Sequence, residues 1–191
     1  YVISEPSKDT FPMGNRRTVV GLRDASRHFE KNILTHAQVE RIAASCVGML
    51  EDNRGYLYFG LILLMTTGIT ISELCALTWG SFSFSKTYAG IIVVEIMAET
   101  KLVGDVYRIE ELNGPRRRTI PLPPAVAKFY HRVRDNAPNI QENAPFMRSF
   151  KNAARRIRPD EFDRWLKGFF KSFGFSKQPE LKSLTKNPER T

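Results

Sequence analysis

Two groups of residues in this chain are of a kind that could do chemistry. The first is cationic: Arg116, Arg117 and Arg118 are consecutive, and Lys151, Arg155 and Arg156 recur soon after. A guanidinium offers a planar fork of N–H donors that matches the oxygens of a phosphate, so such clusters suit a polyanion. The second is Thr70-Ile71-Ser72-Glu73. A Thr followed three residues later by Glu is a capping box, in which the hydroxyl serves one exposed helix N–H and the carboxylate reaches back to another. Position 70 can therefore start a helix, but it carries no charge at any pH. The three histidines, His28, His36 and His131, are scattered, so neither a metal site nor a cofactor is expected.

The charge of the whole chain points the same way as the clusters. Residues 1–114 hold 11 Lys and Arg against 13 Asp and Glu, a net of −2; residues 115–191 hold 18 against 7, a net of +11. All of the net +9 lies in the second part, and the overall pI is near 9.8. A concentration of this kind is the electrostatic footprint of a polyanion partner, such as a nucleic acid. No apolar run approaches the ~18 residues that span a bilayer, and no signal peptide is evident, so no membrane partner is expected and the location is read as cytoplasmic. Cys46 and Cys75 fall within apolar helical patterns and read as buried thiols. The chain begins with Tyr rather than Met and reads as a piece of something longer.

Hydrophobic periodicity supplies the elements that must position these residues. Residues 1–33 lack a clean period and read as a linker or arm. Thr35 and Gln38 form a second capping box, and Val39, Ile42, Ala43, Cys46, Val47 and Leu50 follow as one apolar stripe. From Tyr56 to Met65 the apolar residues face all round, the mark of a central buried helix, and Gly68 ends it. A short helix over 71–77 leads to strands around 91–97, 105–111 and 118–122, with a turn at Asn113-Gly114. Pro123 and Pro124 open a helix with Val126, Phe129, Tyr130 and Val133 inward. Another helix is expected on Phe150, Ala153, Ala154 and Ile157, carrying Lys151, Arg155 and Arg156. A last one is expected with Asp160 as cap and Phe162, Trp165, Leu166, Phe169, Phe170 and Phe173 as its stripe. The fold class is mainly α with a small antiparallel β-sheet, in one domain over 34–185 with a tail over 186–191.

This order resembles the catalytic domain of the tyrosine recombinases, the phage integrase family. The resemblance rests on Thr67-Gly68-Ile69-Thr70-Ile71-Ser72-Glu73-Leu74, followed by Leu77 and Trp79, and on Arg118-Thr119-Ile120-Pro121-Leu122, in this helical frame. The family usually shows Arg where this chain has Thr70. It implies a DNA strand-cleavage and rejoining chemistry in which a tyrosine attacks a phosphate, two arginines grip the non-bridging oxygens and a hairpin lysine serves the leaving oxygen. Charge accumulates on phosphate oxygens in such a transition state, which is why the grips are cations.

Set against that pattern, this chain departs at each position. Thr70 stands for the first arginine, while Lys182 and Thr185 stand for the His and Arg of the His-x-x-Arg box. No lysine precedes Arg118 within the expected hairpin turn, where Glu111-Leu112-Asn113-Gly114 lies; Lys101, expected in the earlier turn at 99–105, is the substitute on offer. The tyrosine nucleophile would fall beyond Thr191. The resemblance thus implies a recombinase-like domain of a mobile element that binds double-stranded DNA without strand cleavage, pairs with itself or with a related recombinase, and is nucleoid-associated in a bacterial or phage-type cytoplasm. Arg116, Arg117, Arg118, Lys151, Arg155 and Arg156 are its expected DNA contacts. An active recombinase completed outside this chain, and a protein-interaction scaffold that does not bind DNA, are the alternatives.

Overall fold

The computed structural model describes residues 34–87, 90–137, 140–152 and 154–175. The expected arm over 1–33, and Lys182 and Thr185, lie outside the described residues.

Helix α1 (His36–Gly48) begins at the expected Thr35 capping box, in which the Gln38 N–H donates to Thr35 Oγ1 at 3.3 Å and the Thr35 N–H donates to Gln38 Oε1 at 2.8 Å. A tight turn then delivers the chain to α2 (Gly55–Thr67). It requires Gly55, where a Cβ would lie 2.0 Å from the Leu50 carbonyl oxygen. The apolar sequence of α2 is buried on nearly every side, from Tyr56 to Met65, and the helix runs through the centre of the core. Phe59 packs there against Phe82, Tyr130 and Phe146, with Trp79 edge-on to Phe146. Gly68, at φ 68°, closes α2 in the left-handed conformation that glycine adopts without strain.

Helix α3 (Ile71–Ala76) follows at once, and a 3₁₀ turn (Trp79–Ser81) leads into β1 (Phe82–Phe84). The β region forms two antiparallel sheets rather than the one expected. The first has the order β1–β2–β5, with β2 (Ile92–Ile96) between β1 and β5 (Arg118–Pro121). The second is the hairpin of β3 (Ala98–Val103) and β4 (Val106–Glu111), in register Lys101 with Arg108 and Leu102 with Tyr107. Lys101 thus lies within a strand, not in a turn. Helix α4 (Pro124–Asp135) and helix α5 (Pro159–Ser172) complete the domain. Both thiols, Cys46 and Cys75, are free and buried, and burial pushes the Cys46 thiol up to about 12. No helix among the described residues is long and apolar enough to cross a membrane.

Two expected features differ. The segment 148–157 is not a helix. Its chain folds back on itself, with the Ser149 N–H donating to the Arg155 carbonyl at 2.8 Å and the Ile157 N–H to the Met147 carbonyl at 2.9 Å. Asn152 decides this: its side-chain oxygen accepts the Ala154 N–H at 2.9 Å, a local turn that competes with helix formation. Nor does Asp160 cap α5. Arg158 is the N-cap, and Pro159, whose fixed φ and missing N–H suit the first helical position, starts the helix one residue before Asp160.

Candidate nucleic-acid interface

At position 70 the capping box forms as the sequence reads. Thr70 is extended (φ −83°, ψ 160°), the Glu73 N–H donates to Thr70 Oγ1 at 3.2 Å, and the Thr70 N–H donates to Glu73 Oε2 at 2.8 Å. The same carboxylate meets a cation from far along the chain. Arg118, at the start of β5, donates Nη1 to Glu73 Oε1 and Nη2 to Glu73 Oε2, both at 2.9 Å. Glu73 is only 3% exposed. Burial pushes its carboxyl up, but the hydrogen bonds from Arg118 and from Thr70 outweigh that effect and hold it below the ordinary glutamate value.

The other cations of this region are also engaged. Arg116 makes a fork onto Glu99, at 3.1 and 2.6 Å, and Lys101 donates to Glu110 at 2.9 Å. Arg117 is exposed; its backbone N–H donates to the Gly114 carbonyl at 3.1 Å, and its guanidinium has no ion pair among the described residues. Beside Thr70, Arg118 turns its fork onto Glu73, and Arg116, two residues before it, turns its fork onto Glu99. Such a pair is nearly neutral and offers a phosphate little beyond its outer edge.

The second expected group separates into two roles. Arg156 is half-buried and donates Nη1 to the carbonyls of Cys75 and Leu77, at 3.0 and 2.7 Å, so it satisfies the carbonyls left open at the end of α3. Burial pushes its pKa down. Lys151 and Arg155 instead line an open cavity of about 330 Å³, together with Arg54, Arg158, Arg164 and Glu161. Arg54 comes from the turn before α2, and its guanidinium lies 5.3 Å over the Phe150 ring. Arg158 and Arg164 both approach Asp160 in the first turn of α5, at 3.3 and 3.7 Å, and Arg155 approaches Glu161 at 3.9 Å. Five cations therefore surround a cavity lined by one carboxylate. A neighbouring cavity of about 670 Å³ shares Arg54, Phe150 and Lys151 and adds Arg148, whose guanidinium lies 4.9 Å over the Tyr56 ring. That larger cavity also carries Glu51 and Asp52, so the basic groove is the smaller cavity, extended along its Arg54 and Lys151 edge by Arg148, and a cationic lining of this kind attracts phosphates.

With this geometry and topology in view, the chain can be compared with solved structures. It aligns with the Tn1549 transposon integrase, solved in complex with circular intermediate DNA, at 23% identity and a TM-score of 0.53. The chain carries the fold of a transposon integrase. The alignment covers 80% of this chain and 51% of the integrase, so the chain spans about half of that protein's length. The integrase-like fold is the one that the paired motifs at Thr67–Leu74 and Arg118–Leu122 lead to. No protein-family model matches the sequence, and no curated protein is significantly similar to it.

Arg54, Arg148, Arg158 and Arg164 were not singled out as contacts by sequence reasoning. They are spread over more than a hundred residues and are adjacent only once α2, the 148–157 turn and α5 have packed together. The one linear signal was the Arg-rich run ending at Arg158.

Proposed function

We propose that this domain binds double-stranded DNA through the basic groove and does not cleave it. The observation that carries this reading is the contrast between two cationic regions of one integrase-like fold. Around Thr70, where the family resemblance places the phosphate grips, Arg118 and Arg116 are closed onto Glu73 and Glu99. Around Lys151, five cations line an open cavity: Lys151 and Arg54 have no ion-pair partner among the described residues, Arg158 and Arg164 share the single carboxylate of Asp160, and Arg155 stands 3.9 Å from Glu161. Removing one preorganised donor from a charged transition state costs roughly 10²–10³ in rate. A neutral Thr70, with Lys182 and Thr185 at the His-x-x-Arg positions, leaves little of that stabilisation. The DNA complex of the structurally similar integrase supports a DNA partner for this chain. On this reading the domain belongs to a mobile element in a bacterial or phage cytoplasm, where it occupies DNA sites alone or beside an active relative.

Titration of a labelled duplex with the full-length protein at two salt concentrations tests the binding; weak association with no salt dependence would favour the scaffold instead. A nicked suicide duplex tests the cleavage. No covalent adduct is expected, and an adduct would establish the active-recombinase reading. That second reading has one observation in its favour: the Arg118 guanidinium lies one carboxylate away from Thr70, close to where a phosphate-gripping arginine is expected.

A further inference from the structure

Glu161 is an unusual residue to find inside the basic groove. It stands in the first turn of α5, is 8% exposed, and lines the same cavity as Arg54, Lys151, Arg155, Arg158 and Arg164. Its Oε1 accepts from the Ser149 hydroxyl at 3.0 Å and from the Phe150 N–H at 3.3 Å. Its Oε2 is buried and accepts no hydrogen bond among the described residues; Arg155 Nη2 stands 3.9 Å away, beyond hydrogen-bond reach. A glutamine would make the same two Oε1 contacts without placing a charge in a buried position, where an unpaired charged oxygen is costly. What distinguishes Glu at this position is therefore its charge, and the charges that face it are cationic.

We infer that Glu161 is a built-in counter-anion: it offsets Arg155 in the free protein, beside Asp160, which pairs with Arg158 and Arg164, and it opposes the entry of a nucleic-acid phosphate, so that bound DNA remains exchangeable. This rests on the reading of the groove as the DNA site. A phosphate drawn in by Arg155 and Lys151 must approach a fixed negative charge that solvent screens only in part. Affinity is set below what five cations alone would give.

The test is fluorescence anisotropy of a labelled duplex with the full-length protein, comparing wild type with Glu161→Gln. The substitution keeps the acceptor for Ser149 and Phe150, and circular dichroism checks the fold. Binding tighter by about tenfold at low salt, with the difference shrinking as salt rises, is expected. Equal or weaker binding by a folded Glu161→Gln overturns the inference and leaves wild-type DNA binding standing. Absence of wild-type binding overturns both. Should Glu161→Gln not fold, Arg155→Gln and Lys151→Gln decide the matter. Arg155 is already partly neutralised by Glu161, so its loss must weaken binding less than the loss of Lys151, and equal losses overturn the inference.

Discussion

Arg118 and Glu73 are 45 residues apart in the sequence and meet as a two-point ion pair, with both terminal nitrogens 2.9 Å from the two carboxylate oxygens. The pair joins the start of β5 to the first turn of α3, and through Glu73 Oε2 it reaches the Thr70 N–H. One carboxylate thus completes a helix cap and holds a strand in place. Removing the cation leaves a buried carboxylate whose charge only the hydrogen bond from the Thr70 N–H still offsets. A fully buried pair broken in this way costs about 3–5 kcal/mol, and because the Arg118 side chain is 34% exposed, solvent reduces the figure. Arg118→Ala is expected to lower stability by about 2 kcal/mol in urea denaturation. A change below a few tenths would mean that the pair contributes nothing to folding.

The same pair gives the fold a pH dependence of known sign. The Glu73 carboxyl is held below its ordinary value of 4.5 in the folded state. In the unfolded chain it takes up a proton at a higher pH, so between the two values the unfolded state binds more protons and stability rises with pH. The contribution is complete above the ordinary value and is lost as pH falls through the folded one. Denaturation midpoints of wild type and Glu73→Gln, followed from pH 6 to pH 3, should converge as the pH drops. Parallel curves would refute the assignment.

Thr70→Ala removes the hydroxyl of the cap while Glu73 can still accept the Thr70-position N–H. The expected loss is about 1 kcal/mol, or roughly 2–4 °C in Tm for a chain of this size. Thr70→Arg is the more informative change. It returns a cation to position 70 but leaves Lys182 and Thr185 where the His and Arg of the His-x-x-Arg box are expected, so the variant is expected to form no covalent adduct on a nicked duplex. An adduct would show that the missing guanidinium was the only defect.

How much of this was legible beforehand depends on how local each feature is. The two capping boxes, the apolar α2 and the aromatic stripe of α5 are patterns within one helix, and each stands where its spacing puts it. The turn at 148–157 is hidden because Phe150 and Ile157 also fit a helical period, while the hydrogen bond from the Ala154 N–H to Asn152 Oδ1 favours the turn. The hairpin containing Lys101 was partly hidden, since β3 alternates poorly and gains its strand geometry from pairing with β4. The groove is the least local feature. Its cations come from Arg54 to Arg164, and no short window contains the pattern.

The groove can be dissected charge by charge. Each phosphate contact on duplex DNA contributes about 0.9 to the log–log salt slope. Lys151→Gln and Arg54→Gln, each without an ion-pair partner among the described residues, should each reduce the slope by about that amount and weaken binding at low salt. Reversing Arg116 and Arg117 to Glu should have the smaller effect per residue, because Arg116 is already closed onto Glu99. A larger effect from the 116–117 pair would move the interface from the groove to the turn before β5.

Arg156 separates packing from binding most cleanly. It belongs by sequence to the same basic run as Arg155, yet its Nη1 is spent on the carbonyls of Cys75 and Leu77 rather than on the groove. Loss of a charged donor to buried backbone carbonyls costs about 1.5–3 kcal/mol, since the carbonyls are left without partners. Arg156→Gln is therefore expected to lower the urea midpoint while leaving DNA affinity per folded molecule unchanged. Arg155→Gln should do the reverse, with little change in stability and a measurable loss of affinity. If Arg156→Gln weakened DNA binding without loss of stability, the guanidinium would have to leave α3 on binding, and its role would be contact rather than support.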